Sequence, residues 1–195
     1  MVRRPEYERD EVLEKAMGVF WTRGYKATSI SDLVEATGLN TASMYKEFGD
    51  KDGIFEEALD HYRKSRMSAR FRMLADEPNL KGIERFVRNV VDGAAQHEYR
   101  GCLMMNHLSQ QHPISAKAAE RIEDFCASME SHLEAAFRNA REQGEIAADQ
   151  DPATLASFVA CYVHGLVLYG RHMSKKAHIP DLCKVLLGVW APRSP

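Results

Sequence analysis

The sequence predicts an all-α protein. Apolar residues recur at helical spacing almost from end to end, and no stretch alternates convincingly with period two. The punctuation agrees, since Ser, Asn or Asp opens and Gly closes one periodic segment after another. With 195 residues, 45% hydrophobic and 28% charged, the chain can bury a real core and fits one large domain, or a small one plus a medium one.

The first helix is expected from about Glu8 to Arg23, with Val12, Leu13, Ala16, Met17 and Phe20 on one stripe and Gly24 as its stop. Ser29 opens the second, with Asp32 three residues on in a capping-box arrangement and Ile30, Leu33 and Val34 on its buried side. Gly38 ends it. Asn40 caps a third, Thr41 to Phe48, whose Met44 and Phe48 lie four apart and turn inward with Leu39. After Gly49, Asp50 caps a long fourth helix through about Met73. At 1.5 Å per residue such a helix is on the order of 35 Å long, enough to connect two functional regions.

Two short helices joined by a glycine-containing turn and braced by a preceding helix form a helix-turn-helix, whose second helix enters the DNA major groove. With Met44 and Phe48 inward, Thr41, Ala42, Ser43, Tyr45 and Lys46 fall on or near the outer side. Ala42 permits close approach to a thymine methyl, and Thr41 and Ser43 can bond base edges or phosphates. Tyr45 and Lys46 suit phosphate oxygens, as does Lys51 in the first turn of the next helix, beside exposed backbone N–H groups. Thr28 and Ser29 can do the same at the start of the second helix. An ordinary three-helix subdomain with a hydroxyl-rich surface fits the same spacing.

Across "VFWTRGYKATSISDLVEATGLNTASMYKEFGDKDGIF" the chain resembles the tetracycline-repressor-like (TetR) family of bacterial transcription regulators. The resemblance covers roughly the first quarter of the chain and includes the Tyr45-x-x-Phe48 pair and Lys51. It implies DNA contact by Thr28, Thr41, Ala42, Ser43, Tyr45, Lys46 and Lys51, and beyond them a divergent helical domain for ligand binding and dimerisation. The expected division is a helix-turn-helix domain over residues 1–50 and an effector and dimerisation domain over 51–195, with 51–73 connecting them. Glu47 departs from the family, which commonly has histidine or another neutral residue there. It lies along the helix flank or selects among bases, for instance by accepting from cytosine.

Charge does not single out a basic domain. Met1 to Arg72 holds 13 Lys+Arg and 13 Asp+Glu, and the whole chain has a net charge of −2. Local arrangement therefore matters more than the total, and binding should be salt-sensitive with modest non-specific affinity. Arg3 and Arg4 sit in an N-terminal arm that can reach a minor groove or simply remain solvated.

In the remainder, a helix from about Leu80 to Tyr99 carries Ile83, Phe86, Val87, Val90 and Val91 on one stripe, and a shorter one runs from Cys102 to about Gln111. His112 to Ser115 breaks the chain. A long helix follows from Ser115 to Gln143, stopped by Gly144, and Asp151-Pro152 starts another through about Arg171. Leu182 to Trp190 forms the last. The helix with Leu155, Val159, Tyr162, Val163, Leu166 and Val167 is apolar around more of its circumference than one core face needs. Burial within one chain accounts for that, as does a two-fold interface with the Ser115–Gln143 helix; a palindromic operator favours the second, a homodimer.

The segment "YRGCLMMNHLSQQHP" resembles a Gly-Cys-Leu segment in a subgroup of these regulators, some of which sense electrophiles or oxidants by such a cysteine. A helix N-terminus and Arg100 would favour the Cys102 thiolate, while a small packing residue is the alternative. Met104, Met105, Phe125, Met129 and Tyr162, with Cys102, are candidate lining for a small, mainly apolar effector, although such residues also serve as plain core. Cys126, Cys161 and Cys183 fall within helical patterns and are expected in the core.

Other classes find little support. There is no GxSxG elbow, phosphate-binding glycine loop or dinucleotide fingerprint, so neither an enzyme nor a cofactor is expected. The eight histidines lack metal-ligand spacing and the four cysteines form no CxxC pair, which suits a reducing compartment. The charged opening MVRRPEYERDE is unlike a secretory signal, and the apolar run from Phe158 to Gly170 reads as too short to span a bilayer. A cytoplasmic, ligand-responsive repressor is the expectation. A helical protein-interaction module without DNA binding is the alternative.

Overall fold

The computed structural model describes residues 7–98, 100–108, 114–171 and 179–189. Among these residues there is no strand. The helices are α1 (Arg9–Arg23), α2 (Ile30–Thr37), α3 (Thr41–Phe48), α4 (Lys51–Tyr62), a π-helical turn (Arg63–Met67), α5 (Ser68–Asp76), α6 (Leu80–Gln96), α7 (Leu103–Leu108), α8 (Ala116–Glu142), α9 (Pro152–Gly170) and α10 (Ile179–Leu187). They form two compact units. The first joins Met1–Ser65 to Leu103–Glu123, and the second joins Arg66–Cys102 to Asp124–Pro195.

In the first unit α1 packs on α2 and α4, and α7 packs on α1 and α4. Phe20 is fully buried with its ring edge-on to Phe55 at 4.9 Å, and Trp21 meets Tyr62 edge-on at 5.2 Å. Burying each such ring is worth roughly 1.5–3 kcal/mol, a large share of what so small a unit can gather. Local chemistry fixes the helix ends. Ser29 accepts from the Asp32 N–H while Asp32 accepts from the Ser29 N–H, a complete capping box. Asn40 caps α3 by accepting from the Ser43 N–H at 2.8 Å, and Asp50 caps α4 through the Gly53 N–H at 2.8 Å. Gly38 takes the left-handed conformation (φ 77°) that lets the chain turn sharply from α2 toward α3. At Gly53 a Cβ would collide with the Phe48 carbonyl oxygen, so glycine lets α4 begin directly against the end of α3.

In the second unit α5 packs on α6, α6 on α9 and α10, and α10 on α9. The expected α6 stripe of Ile83, Phe86, Val87, Val90 and Val91 is buried. α8 crosses the boundary between the units. Its Ala118 and Ile122 are buried in the first, and Phe125, Met129, Leu133, Ala136, Phe137 and Ala140 in the second, all on one helical stripe.

Several expectations change. The fourth helix is not one α-helix to Met73, because α4 stops at Tyr62 and the π turn precedes α5. The boundary between the units falls within that turn. The last helix begins at Ile179 instead of Leu182. α9 runs for 19 residues and is long and apolar enough to cross a bilayer by length and composition, so a shortfall in length is no argument against a span. What ties it to protein is packing, since Ala156, Val159, Ala160, Val163, Leu166 and Val167 are buried against its own chain. Cys161, expected in the core, is exposed. Arg3, Arg4, Tyr99, Gln111, the His112-Pro113 break and Trp190 lie outside the described residues.

Candidate nucleic-acid interface

The geometry of α3 follows from two anchors. Met44 and Phe48 are 1% and 6% exposed, which turns Thr41, Ala42, Tyr45 and Lys46 out to solvent and leaves Ser43 at the half-buried flank. Tyr45 is an exposed aromatic, with an apolar ring and a polar tip suited to a surface that becomes covered.

Glu47 is held by partners distant in sequence. Arg9 donates from Nη1 to Glu47 Oε2 at 2.8 Å and from Nη2 to Glu57 Oε2 at 2.6 Å, and its guanidinium lies 4.9 Å from the centre of the Phe48 ring. One side chain of α1 thus joins α3 to α4. Burial works against the Arg9 charge, but the hydrogen bonds and charges of Glu57 and Glu47 outweigh it and raise its pKa. Of the two roles open to Glu47, the structure has the first: its carboxylate is bonded toward α1. A second clamp joins Arg23 at the end of α1 to Asp32 in α2. The Ser29 backbone N–H, then the Ser29 hydroxyl and Arg23, hold the Asp32 carboxyl down at about 2.

At the start of α2 the two candidates differ. Ser29 is exposed, and its hydroxyl donates to Asp32 Oδ2 at 2.7 Å. Thr28 is 1% exposed and its hydroxyl donates to the Gly24 carbonyl at 2.7 Å, so as placed it holds the turn and offers no surface. Lys51 extends over the Tyr25 ring, with Nζ 4.3 Å from its centre, while the Tyr25 hydroxyl donates to Asp52. Burial first, then the Asp52 hydrogen bond and charge, raise the Tyr25 phenol above its ordinary value. Nothing in the sequence marks Arg9 or Tyr25 for these roles. Spacing carries no signal for contacts that close loops of this length.

The effector candidates are divided between the two units. Met104, which is buried, and Met105 belong to the first unit. Phe125 and Met129 are each 1% exposed in the core of the second, where Phe125 lies 6.0 Å from the Phe71 ring and 6.3 Å from the His164 ring. Burial lowers His164 to about 4, so it sits there as neutral imidazole. Tyr162 donates to the Leu182 carbonyl at 2.7 Å and, with Gly165, Leu166, Tyr169 and Leu182, lines an open apolar groove of about 340 Å³. Cys102 is buried immediately before α7.

A short capped helix, braced by two others and presenting hydroxyls, an aromatic and a lysine outward, defines a helix-turn-helix DNA reader. Known proteins place the chain more narrowly. Residues 12–58 match the model for "Bacterial regulatory proteins, tetR family", and residues 80–186 match "Tetracyclin repressor-like, C-terminal domain". The HTH-type transcriptional repressor ComR of Escherichia coli K12 is 30% identical over 192 residues, covering 96% of this chain and 91% of ComR. A cysteine mutant of the regulator CifR, solved with 26-bp double-strand operator DNA, is 28% identical with TM-score 0.85, covering 96% of this chain and 100% of that one. Reduced E. coli NemR shares the fold, with TM-score 0.83 at 16% identity over 96% of this chain and 98% of that one. The chain belongs to the TetR family of bacterial regulatory proteins and is a DNA-binding transcriptional regulator.

Proposed function

We propose that the protein is a homodimeric repressor that binds a palindromic operator through α3 and leaves it when a small, mainly apolar effector occupies the second unit. The observation that carries this reading is the α3 surface, where Thr41, Ala42, Tyr45 and Lys46 stand clear of the fold while Arg9 ties Glu47 back. Thr41, Ala42 and Ser43 read base edges. Tyr45, Lys46 and Lys51 hold phosphates, and Ser29 adds a contact at the α2 N-terminus. Thr28 serves by fixing the turn.

Dimerisation supplies the second recognition helix. α9 leaves Phe158 (41% exposed), Cys161, Gly165 and Tyr169 (63% exposed) on the side opposite its buried stripe, and this face meets a second copy, with α8 beside it. Half-sites in successive major grooves lie roughly 34 Å apart, so a small change in the spacing of two recognition helices weakens binding strongly. α4 carries Lys51 and continues through the π turn into α5 of the second unit. An effector that repacks the surroundings of Phe125, Met129 and Tyr162 favours a wrongly spaced state, and the same coupling makes operator weaken effector binding. Modification of Cys102 by an electrophile is a second route to release, supported by its place at the start of α7, and Cys102→Ser would then keep operator affinity and lose electrophile-induced release.

Selection from random duplexes, followed by gel shift and light scattering, tests the reading. An enriched inverted repeat bound by a dimer is expected. Failure to enrich any sequence would leave the interaction-module alternative.

A further inference from the structure

His107 is a buried titratable group set apart from the α3 surface. It lies on α7, 82 residues beyond Tyr25, yet it is 3% exposed inside the same compact unit as the helix-turn-helix. Its Nε2 accepts from the Tyr25 backbone N–H at 3.2 Å, and Nδ1 lies 2.7 Å from the Leu103 carbonyl. Both bonds form together only in the neutral tautomer with the proton on Nδ1. The imidazole is 4.6 Å from the Phe55 ring, and Phe55 is 4.9 Å from the Tyr25 ring. Tyr25 is therefore held at its backbone by His107, at its ring by Phe55 and the stacked Phe20 ring at 6.3 Å, and at its hydroxyl by Asp52. Lys51 Nζ lies 4.3 Å from the centre of the same ring.

We propose that His107 is a positioning residue for DNA binding, setting the Lys51 ammonium at the α4 N-terminus through Tyr25. Lysine on its own samples many rotamers, and a fixed aromatic face beneath it narrows them before DNA arrives. α7 thereby controls one phosphate contact from inside the reading unit. The inference rests on the proposal that Lys51 holds a phosphate.

A double-mutant cycle tests it, using the full-length protein and a duplex that wild type selects from a random pool. His107→Phe keeps a ring against Phe55 and removes both hydrogen bonds; His107→Gln retains an acceptor for the Tyr25 N–H. His107→Phe should weaken binding about three- to fivefold beside Lys51, in the range of one cation–π contact, and not further in the Lys51→Ala background. His107→Gln should restore most of the affinity. Tyr25→Leu, which leaves the backbone N–H to His107, should be similarly non-additive with Lys51→Ala and decides the matter if His107→Phe does not fold. Equal costs of His107→Phe or Tyr25→Leu with and without Lys51 would overturn the inference. Wild-type affinity and salt slope in Lys51→Ala would instead remove the phosphate reading, and this inference with it.

Discussion

The two units solve the same packing problem with different materials. In the first, ion pairs reach between elements: Arg9 to Glu47 and Glu57, Arg23 to Asp32, and Arg121 to Asp60 and Glu56. In the second, Arg88–Glu84, Lys81–Glu77 and Arg138–Glu134 lie one turn apart on the chain, with Arg85–Glu77 the longer link. Large exposed apolar side chains lean the other way, with Phe158, Tyr169, Val185 and Val189 in the second unit against Tyr45 and Leu108 in the first. A small reading head needs its helices in fixed register, and directional polar contacts between them supply it. A scaffold that pairs with a copy of itself needs uncommitted apolar surface.

The largest effect should come from adjacent residues of α9. Ala160 is 2% exposed, so Ala160→Glu buries a charge and should cost on the order of 3–5 kcal/mol, unfolding the second unit in denaturant melts. Cys161→Glu places the same charge on the exposed face and should shift the dimer toward folded monomer in light scattering. If Cys161→Glu stays as fully dimeric as wild type, the α9 face is not an interface.

The half-buried imidazole of His164 should make stability pH-dependent. Its pKa is lowered from 6.5 to about 4 by burial, so folding excludes a proton that the unfolded chain accepts. The stabilisation is complete above about 6.5 and is lost as pH falls toward 4, by up to about 3 kcal/mol. His164→Leu should flatten that part of the difference between melts at neutral and acid pH. An unchanged slope would place the imidazole in water.

Smaller effects should separate the Arg9 clamp from general stability. Arg9→Gln frees the Glu47 carboxylate beside the proposed phosphate-contacting residues of α3 and should weaken DNA binding a few-fold, in the range of an exposed ion pair. Glu47→Gln in that background should recover it. Equal binding by Arg9→Gln and the double variant would mean that the carboxylate is not what Arg9 restrains. Smallest of all, Ser29→Ala removes a cap and should cost about 1 kcal/mol in thermal melts, with any drop in DNA affinity measured separately.

The reading head was legible because its signals are local. Ser29 with Asp32, Asn40 before Thr41, Asp50 before Lys51 and the Met44–Phe48 spacing each act within one helical turn, and the structure has them as expected. The π turn was not, since a widened turn at Arg63–Met67 needs no special residue. α9 hid its orientation because it is apolar all round, so periodicity does not separate buried Ala160 from exposed Cys161, one residue and about 100° apart. The membership of α7 in the first unit, and with it the contact of His107 with Tyr25, depends on chain closure over a long loop. The sequence places Met104 and Met105 with Phe125 only by shared composition, and the structure puts them in different units.

The salt dependence of DNA binding by wild type and by a folded Tyr45→Ala/Lys46→Ala variant tests the recognition surface most directly. On the selected duplex the variant should bind on the order of tenfold or more weakly, and the log–log salt slope should fall by about one unit for each phosphate that the variant no longer neutralises. Equal affinity and equal slope would contradict the assignment of α3 as the helix that meets DNA.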